Sequence, residues 1–120
     1  MSNTNKMIGH FEDKPATQLF YEQVDDGVSH LPGGKKEVHA QASYAVKRKF
    51  LWMWAYEQTA DGTLYLTVLL DEKWNHPQLH SITQVSANRW NHHVVIKDLE
   101  SAQSEWLKEL LQKGYLFAKK

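Results

Sequence analysis

With 120 residues, no cysteine, and Lys plus Arg matching Asp plus Glu at 14 each, the chain has the length of one domain and no overall charge to draw it onto a phosphate backbone or an anionic membrane. The lack of thiols excludes disulfides, thiolate metal sites and cysteine nucleophiles, and it suits the reducing cytoplasm. The opening MSNTNKMIGHFEDK has no long apolar stretch of the signal-peptide kind, and the greasiest later run, FLWMWAY, is too short to span a bilayer, so a cytoplasmic protein without a membrane segment is expected.

Residues 1–13 are polar and aperiodic and are expected to form a flexible N-terminal segment, with Ile8 and Phe11 as the candidates for core contact. A single α+β domain, residues 14–120, follows. Ala16, Leu19, Phe20, Val24, Val28 and Leu31 recur at helical spacing, with Asp13 as cap, Pro15 in the first turn and LPGG as the stop, which predicts a helix from Pro15 to Leu31. From Glu37 to Lys97 the period becomes two. Val38, Ala40, Ala42, Tyr44 and Val46 read as one strand, and FLWMWAYE and TLYLTVLLD follow it, joined through the turns KRK and TADG as an antiparallel meander. Pro77 bars a central strand from EKWNHPQLHSITQVSAN, leaving a loop and a short strand near Ile82–Val85 before RWNHHVVIK. The stripe Leu99, Ala102, Trp106, Leu107, Leu110, Leu111 and Tyr115 predicts a last helix from Ser101 to Phe117, capped by Asp98 or Ser101. No internal repeat or low-complexity tract appears. The expected architecture is an antiparallel sheet of four to five strands with the N- and C-terminal helices packed on one face.

The other face is then free for function. Alternation in FLWMWAY places Phe50, Trp52, Trp54 and Tyr56 on one side and Leu51, Met53 and Ala55 on the other, and the aliphatic set suits helix packing. Trp52 and Trp54 then project from the open face beside Tyr65 and Thr67. Aligning the remaining strands adds His39, Gln41 and Ser43, and Arg89, Asn91 and His93. Aromatic area ringed by polar groups is what a planar or partly apolar ligand needs. The competing readings are that a homodimer or the N-terminal arm covers the tryptophans, or that the register is inverted and they are core.

His92 and His93 diverge by the same alternation: His92 joins Trp90, Val94 and Ile96 and reads as a hydrogen-bonded core histidine, whereas His93 is the functional candidate. His76 and His80 stand at i and i+4 with Asp71 and Glu72 nearby, yet no zinc-type motif frames them, and neither a metal nor a cofactor is expected. Ser43 with His39 or His93 is the only sheet-borne nucleophile and base that can be assembled. No nucleophile elbow, phosphate-binding loop, kinase or HExxH signature is present, so whether the chain is an enzyme stays open. The basic turn Lys47 to Lys49 and the KK pairs at Lys35 and Lys119 offer local points for nucleic acid, against the neutral balance of the whole.

Three stretches, YAVKRKFLWMWAY, RWNHHVVI and SEWLKELLQKGY, make the region from about Leu19 to Phe117 resemble an uncharacterised bacterial family known only as a domain of unknown function. The same layout resembles the MmcQ/YjbR-like proteins of CyaY-like fold, and that resemblance implies a fold, together with the DNA binding through paired wings proposed for some of them. Neither resemblance supplies catalytic residues. The expected function is a small cytoplasmic binding or interaction module using its aromatic and polar sheet face for a small molecule or a protein partner. A metal-independent enzyme such as a hydrolase is the alternative, and nucleic-acid binding through the basic turns the next.

Overall fold

The computed structural model describes residue 11, residues 13–56 and residues 58–120. Most of the segment expected to be flexible, Ile8 included, lies outside the described residues. Phe11 lies within them, and it is core: it is 3% exposed, its ring centroid is 5.3 Å from that of Tyr21, and its carbonyl accepts the Lys14 N–H at 2.8 Å.

Helix α1, Pro15–Val28, buries Thr17, Phe20, Val24 and Val28, while Leu19 faces solvent at 48% exposure. A helix start leaves backbone N–H groups without intrahelical partners. Asp13 was the expected partner, but it is exposed, and a residue far along the chain takes the role. The Asp61 carboxylate accepts the N–H groups of Ala16 at 2.9 Å and Thr17 at 3.0 Å, and the Thr17 hydroxyl accepts those of Gly62 and Thr63 at 2.9 and 3.1 Å. Gly62 holds the turn with φ of 95°, a left-handed backbone that a side chain would strain.

The sheet has six antiparallel strands: β1 Lys35–Val38, β2 Ala42–Ala45, β3 Lys49–Trp54, β4 Leu64–Leu70, β5 Ser81–Ser86 and β6 Arg89–Ile96, in the order β1-β2-β3-β4-β6-β5. It departs from the expected meander in two places. The run Val38 to Val46 is two strands, because the His39 N–H bonds the Gln41 carbonyl at 3.0 Å and folds the chain back there. The connector 71–80 then carries the chain to the far edge, so that β6 inserts beside β4. Burial explains the order: β5 is exposed at five of its six residues, whereas Val94 and Ile96 of β6 need cover on the helix side.

Between β2 and β3 the register shifts so that Tyr44 faces Leu51 and Ala45 faces Lys49, leaving Phe50 as an extra residue. Phe50 therefore does not share the face of Trp52 as alternation predicted. It turns to the helices, buried at 1% exposure against Tyr115 with ring centroids 6.5 Å apart.

The C-terminal helix is broken in two: α2, Leu99–Ala102, and α3, Glu105–Lys119. Asp98 accepts the Ser101 N–H at 2.7 Å, and Ser104 sits in extended backbone, its hydroxyl donating to the Ser101 carbonyl at 2.7 Å. Leu107, Leu110, Leu111, Tyr115 and Phe117 bury α3 against the sheet, while Trp106 is only half-buried. Helix α1 reaches the same face, where the Tyr44 hydroxyl donates to Asp25 at 2.6 Å.

Candidate functional site

Strand register builds the open face row by row. Cα pairing runs Glu37, Ser43, Trp52, Thr67, His93, Ser81 across all six strands, and the next row on the same face is Trp54, Tyr65, Val95. A third row, toward the other end, is Leu69, Asn91, Thr83. Trp52, Trp54, Tyr65, Asn91 and His93 thus share one surface, each half-buried.

The rings settle into a platform. Trp54 stacks on Tyr65 with centroids 5.9 Å apart and planes 20° from parallel, and Tyr56, 55% exposed, leans on both at 6.4 and 5.2 Å. Beside the platform a hollow of about 300 Å³ is lined by Trp54, Tyr65, His80, Ser81, Thr83, His93 and Val95. A second, of about 500 Å³, adjoins it through Tyr65, His80 and Val95 and extends past Thr59 and Thr63 to Lys97. Together they form a trough between β3 and the edge strand, wide enough for a small molecule.

His93 forms part of the trough floor. Its Nδ1 is 3.0 Å from the Thr67 hydroxyl and its Nε2 3.1 Å from that of Thr83. Partial burial, reinforced by the neighbouring His80, pushes its pKa below the ordinary histidine value. At neutral pH it is an uncharged ring whose tautomer the two hydroxyls can exchange, a hydrogen-bonding group that adds no charge to the trough.

His92 points the other way and is fully buried. Its Nε2 accepts the Trp74 backbone N–H at 2.9 Å, which requires the ring proton to sit on Nδ1, facing the carbonyls of Trp90 at 3.1 Å and Val68 at 3.3 Å. Burial lowers its pKa. His76 and His80 also part company. His76 is sandwiched between Trp74 and Trp106, with centroids 5.3 and 5.1 Å away, whereas His80 borders the trough. No group of three His, Asp or Glu side chains suited to a metal occurs among the described residues.

Other residues singled out in the sequence lie elsewhere. Arg89 sits at the opposite end of β6, about 20 Å along the strand from Val95 by residue rise, with its guanidinium 4.9 Å from the Phe117 ring centroid. His39 and Gln41 belong to the β1–β2 turn, and His39 Nε2 lies 3.4 Å from Glu37. Ser43 is buried on β2, next to the edge strand, and two strands separate it from His93, a distance of about 14 Å. That is too far for a nucleophile and its base. In the basic turn, Arg48 lies over the Phe117 ring at 5.1 Å and Lys49 is 3.7 Å from Glu37. Sequence reasoning missed His80, Ser81, Thr83, Val95 and Lys97 as site residues. Ser81 and Thr83 alternate within SITQVS, and pairing that run with RWNHHVVI through the Ala87–Asn88 turn is the signal that would have found them.

A family model described as a domain of unknown function, DUF5655, matches residues 7–118, and the chain belongs to that family. No curated protein and no solved structure matches it, so the likeness to MmcQ/YjbR-like proteins has no counterpart in these comparisons. No helix among the described residues is long and apolar enough to cross a membrane.

Proposed function

We propose that this member of the DUF5655 family is a cytoplasmic binding module that takes a small ring-bearing molecule in the trough on its open sheet face. The observation that carries the reading is the conjunction of a stacked Trp54–Tyr65 platform with a hollow of about 300 Å³ rimmed by His93, Ser81 and Thr83. Stacking area supplies non-directional affinity, and the Ser81 and Thr83 hydroxyls and the His80 imidazole orient a polar edge, with His93 holding the Thr83 hydroxyl in place. The separation of Ser43 from His93 removes one of the two couples open to the hydrolase alternative, and the other, Ser43 with His39, lies away from the trough at the β1–β2 turn.

The test is titration of the protein with pooled metabolites, following tryptophan fluorescence and the shifts of the Trp54 and His93 side chains. Binding at the trough moves both, and Trp54→Ala weakens it about tenfold, as expected for loss of roughly 1.4 kcal/mol of ring contact. A ligand that shifts only residues remote from Trp54 and His93 sinks the proposal. Self-association that buries Trp54 would make this face a dimer interface instead.

A further inference from the structure

We infer that the occupant of the trough is a ring carrying one anionic group on a short arm, with the ring beside Trp54 over Tyr65 and Val95 and the anion at Lys97. The inference rests on the open-face reading and adds the chemical class of its ligand.

Its basis is the asymmetry of the trough. The two hollows share Tyr65, His80 and Val95, so they adjoin along β4 and β6 and their far ends differ. The end at Trp54, Thr83 and His93 offers rings, hydroxyls and imidazole, and no formal charge. Lys97 stands at the other end. It follows Val95 by two residues, just past the end of β6 and about 7 Å further along, and among the described residues it is the only Lys, Arg, Asp or Glu lining either hollow. No carboxylate pairs with it among the described residues, whereas Lys36, Lys113 and Lys120 each hold an acidic partner at 2.8, 3.3 and 2.8 Å. An unpaired ammonium at the exposed end of an otherwise neutral trough favours an anion there, and its long stem lets the charge adjust to the arm of the ligand. His80, between the two ends, can donate to the same group. One cation matches one anionic group; a polyanion would meet no second charge within the trough.

The experiment uses two matched pairs on the full chain: indole-3-ethanol against indole-3-acetate, and adenosine against adenosine 5′-monophosphate. Dissociation constants come from chemical-shift titration in low salt. The anionic member of at least one pair should bind about tenfold tighter, the scale of one charge-assisted hydrogen bond, and which pair shows it separates a carboxylate ligand from a phosphate one. Lys97→Met, an exposed change that keeps the apolar stem, should abolish that preference and leave the neutral member unaffected. Equal binding of charged and neutral members, or a preference that survives in Lys97→Met, overturns the inference while the open-face reading stands. If none of the four compounds shifts Trp54, the ligand class assigned here is wrong, and the pooled-metabolite titration decides the open-face reading separately.

Discussion

At the scale of single residues, the adjacent histidines show how one strand serves both core and surface. His92 is a neutral ring with each nitrogen bonded, and its acceptor contact with the Trp74 N–H fails on protonation, because both nitrogens then become donors. Its folded-state pKa lies below the ordinary value of 6.5. The unfolded chain therefore takes up the proton first as the pH drops. The histidine's contribution to stability is present in full above about pH 6.5, erodes below it, and is lost once the pH passes the lowered folded-state value. Denaturant melts of wild type and His92→Phe between pH 8 and 5 check this. At pH 8 the variant should lose about 1–3 kcal/mol, since the part-buried Trp74 N–H is left without its acceptor, and its stability should fall less steeply toward acid. An equal slope in both proteins would assign the acid sensitivity to other groups. The divergence of His92 and His93 was legible from the two-residue period, and so was the core role of His92. Its bond to Trp74 was not, because the partner sits on an irregular connector whose path no periodicity encodes. Arg89 was misplaced for a related reason: alternation gives the face of a side chain but not where a long, flexible one comes to rest, and a strand terminus lets it reach Phe117.

At the scale of elements, two contacts set how the helices meet the sheet. Gly114, inside α3, lies so close to β3 and β4 that an added Cβ would come within 2.7 Å of Val68 Cγ1 and 2.8 Å of Phe50 Cδ2. Gly→Ala inside a helix ordinarily stabilises by about 1 kcal/mol. Here the sign should reverse, with Gly114→Ala costing about 1–3 kcal/mol because the clash is with packed core groups. A stabilised variant in chemical denaturation would mean that α3 rides further from the sheet. The second contact is Asp61, which caps α1 from the β3–β4 turn. Asp61→Ala should cost about 1–2 kcal/mol, and Asp61→Asn should recover much of it, because the amide oxygen still accepts hydrogen bonds. No loss in Asp61→Ala would show that solvent caps the helix equally well. Element types were readable because hydrophobic period reports burial directly. What escaped were features decided by partners distant in sequence: the cap at Asp61, the extra residue Phe50 that re-aims one ring toward the helices, and the order that puts β6 inside β5. The last has a sequence trace in the polarity of SITQVS beside the apolar alternation of RWNHHVVI, and reading it correctly would have brought Ser81 and Thr83 into the site.

At the scale of the whole molecule, the ties between elements are long-range. Asp61 joins the β3–β4 turn to the start of α1, Tyr44 joins β2 to Asp25 of α1, and the Tyr115 hydroxyl donates to the Pro32 carbonyl at 2.7 Å. The Lys47 N–H bonds the Ala118 carbonyl at 2.9 Å, fastening the end of α3 to the β2–β3 turn. The helix side and the trough side also share strands, since Thr67 and His93 on one face alternate with Leu66, Val68, His92 and Val94 on the other. The trough therefore cannot loosen without exposing core residues, nor the helices detach without uncovering the sheet that shapes the trough. Such a molecule should unfold as one cooperative unit. Four of the five tryptophans report on both sides: Trp52 and Trp54 on the open face, and Trp74 and Trp106 in the stack with His76 on the helix side. Urea denaturation followed by far-ultraviolet circular dichroism and by tryptophan fluorescence should give superimposable curves, and variants keeping only Trp54 or only Trp106 should each give matching curves by the two probes. A Trp106 signal lost at lower denaturant than that of Trp54, in variants of equal overall stability, would show α3 leaving before the sheet opens. The sheet face would then be an autonomous platform, with its trough independent of the helices behind it.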